Sequence, residues 1–287
     1  MAENYVLITD SACDIFPEKL AEWDVQMIPL AFLFTDTGRE QKDHEEPIEE
    51  FYASMRAGRV AKTSCVNEGD FEDAFTPFLE AGKDILYLAF SGGLSATCEN
   101  GKKTAASLEK KYPGRRVRVI DSLAASAGQG LFVYLGVKNR DAGMSLDENA
   151  DALEADKLHI CHWFTVDDLV YLKRGGRVSA ATALLGTALN VKPVLHVDNA
   201  GHLIKMSQVH GRKKSIRKLA EKLGETILPD SPVFISHGDC AEDAEMLRDI
   251  LDKEYGKKVD LITFVGSVIG AHSGPGTLAL FFRGTER

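Results

Sequence analysis

Apolar residues in this chain gather into short continuous runs more often than they alternate. Five runs have the length of a strand: "YVLIT" at 5–9, "ILYLAF" at 85–90, "VRVID" at 117–121, "VFISH" at 233–237 and "DLITFVG" at 260–266. Runs without alternation predict strands covered on both faces. Between and after them lie stretches of helix length, at 68–81, 95–111, 124–139, 212–226 and 240–255. That succession predicts an α/β protein with a largely parallel sheet.

The rhythm breaks between Val191 and Val209, where "VKPVLHVDNAGHLIKMSQV" reads as two strands joined by a turn at Asp198-Asn199-Ala200-Gly201. The hairpin predicts a second, mixed α+β domain. The expected organisation is a Rossmann-like, mainly parallel α/β domain over 1–157 and an α+β domain over 158–287, a division that the 287-residue length supports.

Composition then narrows the function classes. With 44% hydrophobic and 27% charged residues, the chain has the profile of a globular protein with a sizeable core. A net charge of −9 argues against nucleic acid as a partner. The one compact basic cluster, Arg212, Lys213, Lys214, Arg217 and Lys218, reads as a solvated helix start. Neither an apolar run of about 18 residues nor a basic segment leading into an apolar one is present, so a cytoplasmic protein without a membrane span is expected. The five cysteines form no close pairs, which predicts free thiols, and the lack of heptads favours a monomer.

Three strand ends run into small, hydroxyl-rich loops that lead to helices: "TDSACDI" at 9–15, "SGGLSATCENG" at 91–101 and "DSLAASAGQG" at 121–130. Loops of this kind beyond the carboxyl ends of parallel strands favour an anionic ligand. The second lacks the spacing and the lysine of a P-loop, and no GxGxxG follows a strand, so a nucleotide is disfavoured. Thr63 and Ser64 stand before a helix that Asn67 can cap, which leaves Thr63 free for another task. With no GxSxG elbow, a serine nucleophile has little support. His159, Cys161 and His162 do not share one strand face, and "DHEEP" at 43–47 reads as an exposed acidic helix start with Pro47 in its first turn, so no metal site is expected.

Two further segments stand out. In "YLKRGGRVSAATALLGTALNVKP", Gly175-Gly176 ends one short helix and Ser179 can cap the next, a charge-free helix that must be buried or lie against a long apolar ligand. In "SVIGAHSGPGTLALFF", a strand leaves through glycines, His272 follows in the loop, and an apolar strand returns.

Taken in order, "TDSACDI", "KTS", "SGGLSATCENG", "DSLAASAGQG", "YLKRGGRVS", "LNVKPVLHVDNAGHL", "GRKKSI" and "GAHSGPGTLAL" resemble the DegV family of bacterial fatty-acid-binding proteins almost end to end. The resemblance implies a long-chain fatty acid in a tunnel between the domains, with its carboxylate near the mouth. It implies a protein that is not itself catalytic and has no other cofactor. A separate fatty acid kinase would phosphorylate the presented carboxylate for phospholipid synthesis. Carried over, the carboxylate contacts are Thr63 with Ser64, the loop holding Ser91, Gly92 and Ser95, and His272, whose protonated ring could add a charge-assisted bond. Gly92 stands where the family often has a second serine, and His210 where it often has arginine; His210 and Arg212 are the expected contacts to the kinase or head group. The alternative is a small-molecule hydrolase or transferase using Ser91 or Ser95 as nucleophile with His272. At about 0.8 kcal/mol per buried CH₂, a tail of ~14 methylenes contributes on the order of 11 kcal/mol before ordering costs, so the tail should dominate affinity.

Overall fold

In the computed structural model, residues 5–178 and 190–287 are described. The expected charge-free helix over 180–189 and its cap at Ser179 lie outside them.

Strands β1 (Tyr5–Asp10), β2 (Val25–Ile28), β6 (Asp84–Ala89) and β7 (Val117–Asp121) form a parallel sheet in the order β2-β1-β6-β7. Both of its faces are covered, as the continuous apolar runs required. Val6, Ile8, Ile85 and Tyr87 pack against Phe71, Phe75 and Leu79 of α3 (Glu68–Glu80) and Leu108 of α4 (Thr97–Lys111). Leu7, Leu86 and Leu88 face the other way, onto Leu131, Phe132 and Val133 of α5 (Ala127–Asp141) and Leu153 of α6 (Leu146–Asp156).

The second sheet has six strands, ordered β10-β9-β8-β13-β11-β12, from β8 (Ile160–Thr165), β9 (Val191–Val197), β10 (Leu203–His210), β11 (Val233–His237), β12 (Leu261–Phe264) and β13 (Leu278–Arg283). Only β11 and β12 run parallel. Phe164, Leu195, Phe234, Ala279 and Phe281 on one face join the core that holds α5. The opposite face packs on α8 (Arg212–Thr226) and α9 (Ala241–Tyr255) through Leu219, Leu223, Leu247 and Leu251. Helix α5 is therefore sandwiched between the two sheets, and burial on both sides explains why its first eleven residues are apolar apart from Gln129 while the last four are polar.

The hairpin forms as the sequence predicts, β9 pairing with β10 around the turn at 198–201. Gly201 closes it at φ +79°, where its carbonyl accepts the Ser91 hydroxyl at 2.9 Å; a side chain there would meet that same oxygen. Asn67 caps α3 in a capping box with Asp70.

Three features depart from expectation. A small antiparallel sheet, β4-β3-β5, made of β3 (Ala31–Phe34), β4 (Glu40–Lys42) and β5 (Ala61–Ser64), places Thr63 in a strand. His272 sits in a helix, α10 (Ser267–Ser273), instead of a loop. Asp43, expected in an exposed acidic run, is buried and accepts hydrogen bonds from the Ser267 backbone N–H and hydroxyl, which satisfies donors at the start of α10.

Candidate ligand-binding site

A cavity of ≈ 320 Å³ opens between the two sheets. Its walls are mostly apolar: Leu30, Phe90 and Leu94 from the parallel-sheet side, Val265, Val268 and Ile269 around α10, and Phe164, Val197, Ala279 and Phe281 from the six-stranded sheet. The partly exposed polar lining is Thr63, Ser64, Cys65, Ser95, Arg177 and His272, while Ser126, His162, Ser273 and Thr277 line it as buried polar groups. The exposed polar side chains thus sit at one end, and the buried remainder is mostly apolar with a few polar groups.

The polar end is assembled from four distant stretches of chain. β5 supplies Thr63, whose Oγ1 lies 2.8 Å from Nε2 of His272 on α10. That contact is fixed from behind: Tyr52 of α2 (Ile48–Arg56) donates to the Val265 carbonyl at 2.7 Å and seats α10 against the small sheet. Ser95 follows β6 and shares a 2.9 Å hydroxyl contact with Thr97 while accepting from the Thr97 N–H. Ser64 lines the same end and donates to Glu40 at 3.0 Å.

Arg177 was not singled out from the sequence, where it reads only as part of the Gly-Gly turn after α7 (Val170–Arg174). Folded, its guanidinium donates to the Leu94 carbonyl at 3.1 and 3.3 Å and brings a cation to the cavity. Burial lowers its pKa. Burial, with Arg177 nearby, also pushes His272 down to about 4. The expectation of a protonated His272 is therefore corrected: at neutral pH the unliganded ring is neutral, and Arg177 carries the charge.

The remaining candidates lie elsewhere. Ser91 is fully buried and spends its hydroxyl on Gly201, joining the loop after β6 to the hairpin; it does not line the cavity. Gly92 is exposed, its N–H donating to Asp121 at 3.1 Å. His210 is exposed at the end of β10. Arg212 is ion-paired with Asp243 at 2.8 Å and approaches Asp167 at 3.8 Å, so it is only partly the solvated cation the sequence suggested. His272 bonds Thr63, and neither Ser91 nor Ser95 bonds it, which leaves the nucleophile arrangement unassembled. Among the described residues no group of three or more His, Cys, Asp or Glu side chains is placed to hold a metal. No helix among them is long and apolar enough to cross a membrane.

With this geometry in place, comparison with known proteins is decisive on kinship. The DegV family model, described as an uncharacterised protein family, matches residues 4–285. The chain belongs to the DegV family. A DegV domain-containing protein of Clostridium perfringens is 39% identical over 288 residues, covering 99% of both chains. A protein of Thermotoga maritima named fatty acid-binding protein is 32% identical, with 98% of each covered. Among solved structures, a DegV family protein from Thermus thermophilus described for its fatty acid binding superposes with a TM-score of 0.86 at 30% identity, covering 98% of this chain and 99% of its own.

Proposed function

We propose that this DegV protein binds a long-chain fatty acid in the cavity between its sheets and presents the carboxylate at the polar end. The observation that carries this reading is the cavity's asymmetry, with Thr63, Ser95, His272 and Arg177 at the partly exposed end and a buried, predominantly apolar lining of phenylalanine, leucine and valine beyond. The fatty acid binding for which the Thermotoga maritima and Thermus thermophilus proteins are named supports it.

In this reading the tail supplies most of the affinity and the hydroxyls orient the head. A carboxylate between Thr63 and His272 meets neutral donors and the Arg177 cation, so its negative charge is not left unpaired. The protein makes no covalent bond to the acid. A separate fatty acid kinase, docking across the polar end, phosphorylates it. The two halves are divided near 157–158, between α6 and β8, so that the tail lies between domains. The protein acts as a cytoplasmic monomer.

Mass spectrometry of an organic extract from purified, unheated protein tests the binding claim. The expected result is one fatty acid per chain, depleted in the Thr63→Val, His272→Ala double variant. Absence of fatty acid from both proteins would refute it.

A further inference from the structure

The strand register shows how far along the six-stranded sheet the cavity lining extends. Thr277, Ala279 and Phe281 line the cavity at two-residue steps, and Thr277, which donates to the Gly274 carbonyl at 2.7 Å, is anchored beside the end of α10. Antiparallel pairing sets Phe164 opposite Ala279 and His162 opposite Phe281. At about 3.4 Å per residue, the Phe281–His162 pair stands roughly 14 Å along the strands from Thr277, and no residue of β8 or β13 further along lines the cavity.

His162 is held there rigidly. The Ala125 N–H donates to its Nε2 at 3.3 Å, so the proton is on Nδ1, which donates to the Ile160 carbonyl at 2.9 Å. Phe281 meets the ring edge-on at a centroid distance of 5.4 Å. From the other side α5 presses close through Gly128, where a Cβ would fall 2.2 Å from Nε2. The ring is 1% exposed, and burial keeps it neutral by pushing its pKa well below the ordinary value. With both nitrogens used and both flanks packed, the imidazole cannot swing aside.

We propose that His162, backed by Phe281, is the stop that sets the acyl chain length this protein accepts. The inference rests on the fatty acid reading and adds to it the residue that selects among fatty acids.

The test is competitive binding of straight-chain fatty acids of graded length to delipidated wild type, His162→Ala and Phe281→Leu. Each variant opens the same end, so should one fail to fold, the other still reports. The expected result is a wild-type optimum that moves to longer chains in the variants, by roughly two carbons for His162→Ala, a methyl being about that much smaller than an imidazole. Variants that bind fatty acid with the wild-type optimum would overturn the role of His162 while leaving fatty acid binding intact. Wild type that binds no fatty acid of any length would overturn both.

Discussion

His272 shows how burial decides the chemistry of a residue whose identity alone suggests a cation. Its ring, like that of His196, is held at a pKa of about 4 by burial, far below the 6.5 of an exposed imidazole. Between those values the unfolded chain binds protons that the folded one refuses, so these histidines withdraw stability as pH falls from about 6.5 to 4. Buried Asp10 and Asp14, whose pKa values burial raises, act with the opposite sign, since the folded state holds their protons at pH values where the unfolded chain has lost them. Comparing wild type with His272→Gln cancels everything but the one ring. Urea denaturation at pH 7 and pH 4.5 should show a stability loss on acidification smaller in the variant by about 2 kcal/mol. Equal losses would mean that the ring is not held neutral. Of the residues legible in the sequence at this scale, Thr63, Ser95 and His272 line the cavity, and Asn67 caps its helix. It carried no signal for Arg177, whose importance depends on the turn that delivers it, or for Asp43, which meets Ser267 only in the folded molecule.

At the scale of elements, the long periodic segments were legible because their apolar pattern alone specifies a buried strand or a one-sided helix. The parts that build the polar end were not. β3, β4 and β5 have only four, three and four residues, too few for a pattern to develop. α10 has seven, with β-branched and glycine residues inside it, and reads as a glycine-rich loop until Asp43 and Tyr52 hold it as a helix. Its position depends on close approach. A Cβ on Gly270 would lie 2.6 Å from the Tyr52 hydroxyl and 3.1 Å from the Phe51 ring, both in the packed core beneath α2. Gly270→Ala should therefore push α10 away from β5, part His272 from Thr63, and destabilise the protein by about 1–3 kcal/mol while weakening fatty acid binding. Thermal melting and a titration check both effects, and a variant equal to wild type in both would contradict this account of how α10 is seated.

For the whole molecule, layering explains why a cavity lies where it does. Two sheets share α5, and beyond the helix's N-terminal end their facing side chains no longer fill the space between them. The contact of Ser91 with Gly201 ties the loop after β6 to the hairpin of the other sheet, and this serine does not line the cavity. The motif order made the family legible before any of this geometry, but a motif cannot say which of its hydroxyls face a cavity and which are spent on backbone.

The central claim is that Thr63, and not Ser91, holds a fatty acid carboxylate. Calorimetric titration of delipidated protein with a single long-chain fatty acid tests it most directly, using wild type, Thr63→Val and Ser91→Ala. The account predicts one saturable site in wild type, a loss of roughly tenfold or more in affinity for Thr63→Val, as expected for a hydrogen bond to a charged group, and near-wild-type affinity for folded Ser91→Ala. No saturable binding in wild type, or a Ser91→Ala variant impaired where Thr63→Val is not, would contradict it.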